Sequence, residues 1–255
     1  MPYQLWIADV ARAAGLKVAE QPGWKTRGSS VFNPKAVLAH HTAIDDDAIS
    51  VRVVTKGRPD LPGPLSQFVL GKDGTVYVIA AGKANHTGEG SWAGLSGNLY
   101  FFGIEAVNKG DGTPWPQVQL DAYYKLAAAL VKSLGVGADK VASHAEYATP
   151  PGRKIDPKGI DMSDFRAKVA TLLEAKPMYD PPFNIPGGVA AHLKAPGGGV
   201  WVLGYEGHIY AFDSQHKGQP AGQSYWGTRK AARLEPFGEG YTVVAVGSGE
   251  RYDYG

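Results

Sequence analysis

The chain has no cysteine among its 255 residues. That excludes a disulfide framework, an iron–sulfur cluster and thiolate-ligated metal, so any metal site must be built from histidine and carboxylate. Strong charge is also missing: charged residues make up 20%, and the formal net charge is +2. Such a mild balance gives no argument for nucleic acid, although it does not oppose an anionic polymer. No apolar run approaches the roughly 20 residues that span a bilayer, so no membrane insertion is expected. Met1 to Leu16 lacks both a basic start and a continuous apolar core, and does not read as a secretory signal. Hydrophobic residues make up 44%, which suits a globular chain long enough for one sizeable domain and a smaller one.

The chemistry concentrates between Ser143 and Pro157. His144 and Asp156 flank a loop stiffened by Pro150 and Pro151, Gly152 permits a turn, and Lys154 stands two residues before the carboxylate. Imidazole nitrogen and carboxylate oxygen are both zinc ligands, and a hydrolytic zinc site commonly takes three protein ligands. His40 is the third candidate. The apolar run Ala36-Val37-Leu38-Ala39 reads as a buried strand that delivers it at its end. Strand side chains alternate faces, so His40 and His41 cannot both reach one metal. Leu99 to Val107 reads as a second apolar strand with one carboxylate, Glu105. A charge there is costly unless paired or bound. Beside the His40 strand, Glu105 would be a general base, its pKa raised by apolar surroundings. The alternative is a salt bridge to Lys154 or Arg153.

The remaining pattern gives the frame. A short amphipathic helix is predicted around Leu5–Leu16, ending near Gly15. Pro22-Gly23 reads as a turn presenting an exposed Trp24, which either packs on that helix or serves a substrate groove. Asp45-Asp46-Asp47 reads as a solvated turn or helix start, because the glycine and bidentate glutamate of a calcium loop are missing. Gln67–Leu70 and Thr75–Ile79 form a hairpin around Asp73-Gly74. Helices are predicted over 118–134 and from Ser163, as N-cap, to Glu174. The fold class is therefore α/β, a central mixed β-sheet flanked by helices.

A Pro/Gly linker at 177–188 leads to a different pattern. Gly199-Val200-Trp201-Val202 and Gly240-Tyr241-Thr242-Val243 look alike, as do Gly207 to Phe212 and Gly249 to Tyr254, at a spacing of roughly 40 residues. Two such repeats predict a small all-β C-terminal domain over 189–255. Trp201, Tyr205, Tyr210, Phe212, Trp226 and Tyr254 suit saccharide binding, or form that domain's core.

Val37-Leu38-Ala39-His40-His41-Thr42-Ala43, Phe102-Gly103-Ile104-Glu105, and His144 with Pro151-Gly152-Arg153-Lys154-Ile155-Asp156-Pro157 occur in this order. Together they resemble the zinc-dependent type-2 N-acetylmuramoyl-L-alanine amidases, a family that includes the peptidoglycan recognition proteins. Glu20–Gly28 and Leu61–Leu65 are similar to endolysins of phages that infect actinobacteria. The resemblance implies a catalytic domain over 29–176, preceded by a helix and loop over 1–28. It also implies one Zn2+ on His40, His144 and Asp156, with Glu105 and Lys154 catalytic. Asn85-His86-Thr87-Gly88 is similar to the family's Trp-His-Ala-Gly segment, with Asn85 replacing the tryptophan. That puts His86 at the substrate, and Asn85, Thr42 and Trp92 join the expected substrate-binding set. Some relatives carry an assisting tyrosine near Ser66 or Gln67, which this chain lacks. The implied function is hydrolysis of the amide between N-acetylmuramic acid and L-alanine in bacterial peptidoglycan by a phage-type endolysin. Such an enzyme is made in the host cytoplasm without a signal peptide and reaches the wall after holin-type release. The alternatives are a non-catalytic peptidoglycan-binding protein and a bacterial autolysin or recycling amidase.

Overall fold

The computed structural model describes residues 3–174 and, beyond them, six strands at 189–194, 200–204, 209–212, 231–237, 240–245 and 251–254. The chain divides into two compact units, Met1–Ala175 and Lys176–Gly255. In the first, elements follow in the order α1 (Ile7–Ala13), β1 (Val18–Glu20), β2 (Ala36–His41), α2 (Asp47–Lys56), β3 (Gly57–Arg58), β4 (Leu61–Pro62), β5 (Phe68–Leu70), β6 (Val76–Val78), β7 (Phe101–Ala106), α3 (Gln117–Ser133), β8 (Val141–Ser143), α4 (His144–Tyr147) and α5 (Met162–Glu174). Six strands make one sheet, ordered β1-β6-β5-β7-β2-β8. The hairpin β5–β6 is its one antiparallel pair; β1–β6, β5–β7, β7–β2 and β2–β8 run parallel.

Parallel strands covered on both faces read as near-continuous apolar runs, and β2 and β7 do. Alternation sorts their side chains. Val37, Ala39, Phe102 and Ile104 face a core shared with α1, α3 and α5, including Ile7, Tyr123, Leu126, Leu130 and Phe165. Ala36, Leu38 and Phe101 face a second cluster with Tyr147. Each large side chain fully buried there contributes about 1.5–3 kcal/mol. The register pairs His40 with Glu105 across β2 and β7. Partners in a parallel pair share a face, so histidine and carboxylate emerge side by side, on the face away from α3's core.

The N-terminal residues are built into this unit. β1 lies at the sheet's edge, and Trp24 is buried in the main core with its indole N–H on Glu20 Oε2 at 2.6 Å. Trp24 is therefore not the exposed aromatic the turn suggests. Asp46 caps α2 by accepting from Ile49 N–H, and Asp45 pairs with Lys72. Helix α5 is capped two residues earlier than expected. Asp161 Oδ1 accepts from Ser163 N–H and Asp164 N–H at 2.7 and 3.0 Å, leaving Ser163 inside the helix.

In the second unit, β9 (Val189–Lys194), β10 (Val200–Gly204) and β11 (Ile209–Phe212) form one antiparallel sheet. Strands β12 (Ala231–Phe237), β13 (Gly240–Ala245) and β14 (Arg251–Tyr254) form another with the same meander order. Two like meanders follow the two sequence repeats. The expected linker, Tyr205 and Trp226 lie outside the described residues. Among those residues no helix is long and apolar enough to cross a membrane.

Candidate active site

Three separate elements deliver three acceptors to one point. His40 ends β2. His144 opens α4, set there by a capping box in which Ser143 Oγ accepts Glu146 N–H and Glu146 accepts Ser143 N–H. Asp156 arrives from the proline loop, whose backbone is tied in by Ala145 N–H donating to Asp156 O at 2.9 Å. His40 Nδ1, His144 Nδ1 and Asp156 Oδ2 are then mutually 3.0 Å apart. All three residues are buried. His41 points to the other face and accepts Lys158 N–H on Nδ1 at 3.0 Å, pinning the residue just past Asp156-Pro157.

Hydrogen bonding behind the rings assigns their protons. Phe101 O only accepts, so His86 Nε2, 3.2 Å away, carries a proton. Burial, with His40 adding to it, holds the His86 pKa well below its ordinary value, so the ring is neutral and its Nδ1 accepts. His40 Nε2–H donates to that Nδ1 at 3.1 Å. Burial pulls His40 itself down to about 4, with Asp156 opposing, so its Nδ1 is bare at neutral pH. Thr87 O only accepts, so His144 Nε2, 3.1 Å away, carries a proton, and Nδ1 is the nitrogen turned to the cluster. For Asp156, burial would raise the pKa, but contact with His144 and His40 outweighs it and the carboxyl lies below the ordinary range. Two imidazole Nδ1 atoms and a carboxylate oxygen thus converge on one point. Such a cluster calls for a cation. Zn–N and Zn–O bonds of about 2.0–2.1 Å set tetrahedral ligand atoms roughly 3.3 Å apart, close to the spacing seen. Among the described residues this is the one His/carboxylate group able to hold a metal.

Glu105 is half-buried beside His40, and its Oε2 is buried without a hydrogen-bond partner. No ion pair joins it to Lys154 or Arg153 among the described residues. Burial, then Asp156, pushes its carboxyl well above the ordinary value, with Lys154 and Arg58 pulling the other way. Arg153 instead donates to Thr149 O at 2.8 Å and Glu89 O at 2.5 Å. Lys154 and Arg58 both act on Glu105, and the field of Lys154 also reaches His40.

A family model for N-acetylmuramoyl-L-alanine amidase matches residues 30–159, just over half the chain and the whole of this site. The chain belongs to that family. Among solved structures, this amidase is similar to the endolysin LysCS of Clostridium intestinale, at 22% identity over 60% of this chain and 95% of that one, TM-score 0.43. It is also similar to a mutant endolysin from Bacillus subtilis, at 19% identity over 60% and 99%, TM-score 0.45. A third is the E. coli amidase AmiD, solved with anhydro-N-acetylmuramic acid-L-Ala-D-gamma-Glu-L-Lys, at 24% identity over 55% and 60%, TM-score 0.42. No curated protein sequence matches the chain.

In this amidase, several residues expected at the substrate have partners inside the protein. His86 is buried and uses both ring nitrogens on His40 and Phe101 O, which leaves neither for a peptide. Room for its ring comes from Gly103, where a Cβ would lie 2.9 Å from His86 Nδ1. Trp92 donates to Asp139 O at 2.8 Å, packs on the Ala36–Tyr147 cluster and lies under the Arg166 guanidinium. These contacts make it part of the packing around β2 and Tyr147. Thr42 Oγ1 closes a local turn with Ile44. Asn85 Nδ2 donates to Pro62 O at 3.0 Å and holds the β4 loop.

Two contributors were not anticipated. The capping box had a sequence signature, Ser143-His144-Ala145-Glu146, that could have been read. Tyr123 had none beyond its place on the buried face of α3. Its hydroxyl accepts His40 N–H at 2.8 Å and lies 2.9 and 3.1 Å from His40 O and Ile104 O. Strand β8 has by then turned into α4, so this hydroxyl replaces a ladder partner at His40. Tyr123→Phe is expected to cost about 1–3 kcal/mol of stability by orphaning a buried N–H, measured by urea unfolding.

Proposed function

We propose that this chain is a zinc-dependent endolysin that cuts the amide between N-acetylmuramic acid and L-alanine in peptidoglycan. The observation that carries it is the meeting of two imidazole nitrogens and a carboxylate oxygen beside Glu105, whose Oε2 is buried and unpartnered. His40, His144 and Asp156 would hold the metal. Zinc in such a set supplies Lewis acidity, acidifying water and polarising a carbonyl. Glu105 takes a proton from the attacking water, whose oxygen bonds to the lactoyl carbonyl carbon. As the carbon–nitrogen bond breaks, Glu105 returns the proton to the leaving L-alanine nitrogen. A carboxyl whose pKa burial raises well above its ordinary value suits both transfers. Lys154 offers an ammonium to the carbonyl oxygen as negative charge builds there.

The phage-lysin reading is supported by the segments Glu20–Gly28 and Leu61–Leu65. On this reading the protein is made in the host cytoplasm and reaches the wall after holin-type release, and the Lys176–Gly255 unit binds a wall polymer. Purified peptidoglycan incubated with the protein is expected to gain free L-alanine amino termini without new glycan reducing ends. Lys154→Ala should keep its zinc and lose about 10²–10³-fold in kcat. New reducing ends, or binding of the wall with no new termini, would overturn the assignment.

A further inference from the structure

One amide oxygen holds the backing of both imidazoles. Asn98 Oδ1 accepts His86 N–H at 3.0 Å, Thr87 N–H at 2.9 Å and Thr87 Oγ1–H at 3.0 Å. The two residues it grips are the ones behind the two histidines: the His86 ring accepts from His40, and the Thr87 carbonyl accepts from His144. Asn98 is itself fixed on both sides. Gly97 N–H donates to the Tyr147 hydroxyl at 2.8 Å, and Leu99 O accepts Asn33 N–H at 3.0 Å. His144 and Tyr147 open and close the same short helix, α4. The contacts therefore form a closed circuit, from His144 through Thr87, Asn98 and Gly97 to Tyr147 and back. His40 hangs from it through His86.

We propose that Asn98 is a positioning residue that fixes which nitrogen of His40 and of His144 carries the proton, and so presents both bare Nδ1 atoms to one cation. Its oxygen sets the height of the His86–Thr87 backbone. If that backbone drops away, His40 and His144 lose their acceptors on Nε2 together. Each ring is then free to move its proton to Nδ1, where it faces Asp156 Oδ2 at 3.0 Å. That tautomer blocks metal binding. The identity of Asn98 is explained as well: three donors point at one atom, which an acceptor with two lone pairs and no competing proton serves best.

This inference rests on reading His40, His144 and Asp156 as metal ligands, and its test separates the two. In metal-free wild-type protein, 15N-edited NMR of the imidazoles should show His40 and His144 protonated on Nε2, whatever their later use. Asn98→Ala should mix the tautomers of both rings at once and weaken zinc binding roughly 10- to 100-fold, as loss of outer support does. Asn98→Asp, which keeps an acceptor oxygen, should restore Nε2 protonation and most of the affinity. A purely structural role would lower the melting temperature of Asn98→Ala and leave both tautomers unchanged, and that result overturns the proposal. If Asn98→Ala mixes the tautomers but the wild-type protein binds no zinc, the positioning role stands and the metal reading falls.

Discussion

Glu105→Gln is expected to lower kcat/KM by about 10²–10⁴-fold and to make the metal-free protein more stable at neutral pH. Both effects come from one feature. The carboxyl stands beside His40 in the strand register, with one oxygen buried and unpartnered. Burial and the Asp156 charge disfavour its ionised form, so its folded pKa is raised above the unfolded value. Between those two pKa values the folded state binds the extra proton, and stability falls as pH rises through that window. Above the folded pKa the full penalty remains. Glutamine never ionises and escapes it. The melting temperature of the variant in chelator should therefore exceed the wild type's at pH 7–8 and converge with it below about pH 4. The kcat/KM of the wild type should show an acidic limb that glutamine removes along with the activity. A glutamine variant less stable than wild type at every pH would mean that the carboxylate is held by attraction, which is wrong for a base.

Chelation carries the second large effect. Activity should disappear and return with added zinc. The melting temperature should also fall, because the ion separates acceptors that otherwise face one another at 3.0 Å. At metal about 1,000-fold above its Kd the bound ion stabilises by about 4 kcal/mol, or roughly 8–16 °C in a unit of this size. A proton is a poor substitute near neutral pH, since burial brings His40 down to about 4. Asp156→Ala should therefore be inactive with metal present, and its melting temperature should ignore chelator. A chelator-sensitive Asp156→Ala would place the ion elsewhere.

What could be read from sequence was what local pattern controls. The strand at Ala36–His41, the Asp-Gly hairpin and the long helix at Gln117–Ser133 each carry their own period or turn signal. The pairing of His40 with Glu105 followed once two apolar runs were taken as neighbours. What could not be read depends on contacts set by packing. Asn98 is a lone asparagine in a glycine-rich loop, and Tyr123 lies 83 residues from the backbone it holds. His86 was placed at the substrate by the likeness of Asn85-His86-Thr87-Gly88 to a family segment, which carries no information on burial. Its burial depends on the gap at Gly103, in another strand. Trp24 and Trp92 each carried two readings, because an aromatic near a turn is as ready to close a core as to line a groove, and Trp24 took the core.

Calorimetric titration of zinc into the metal-free protein tests the central claim most directly. The account predicts one ion per chain in the wild type and no measurable binding in Asp156→Ala. Wild-type protein that takes up no zinc, or an Asp156→Ala variant that binds it as well as wild type, would contradict it.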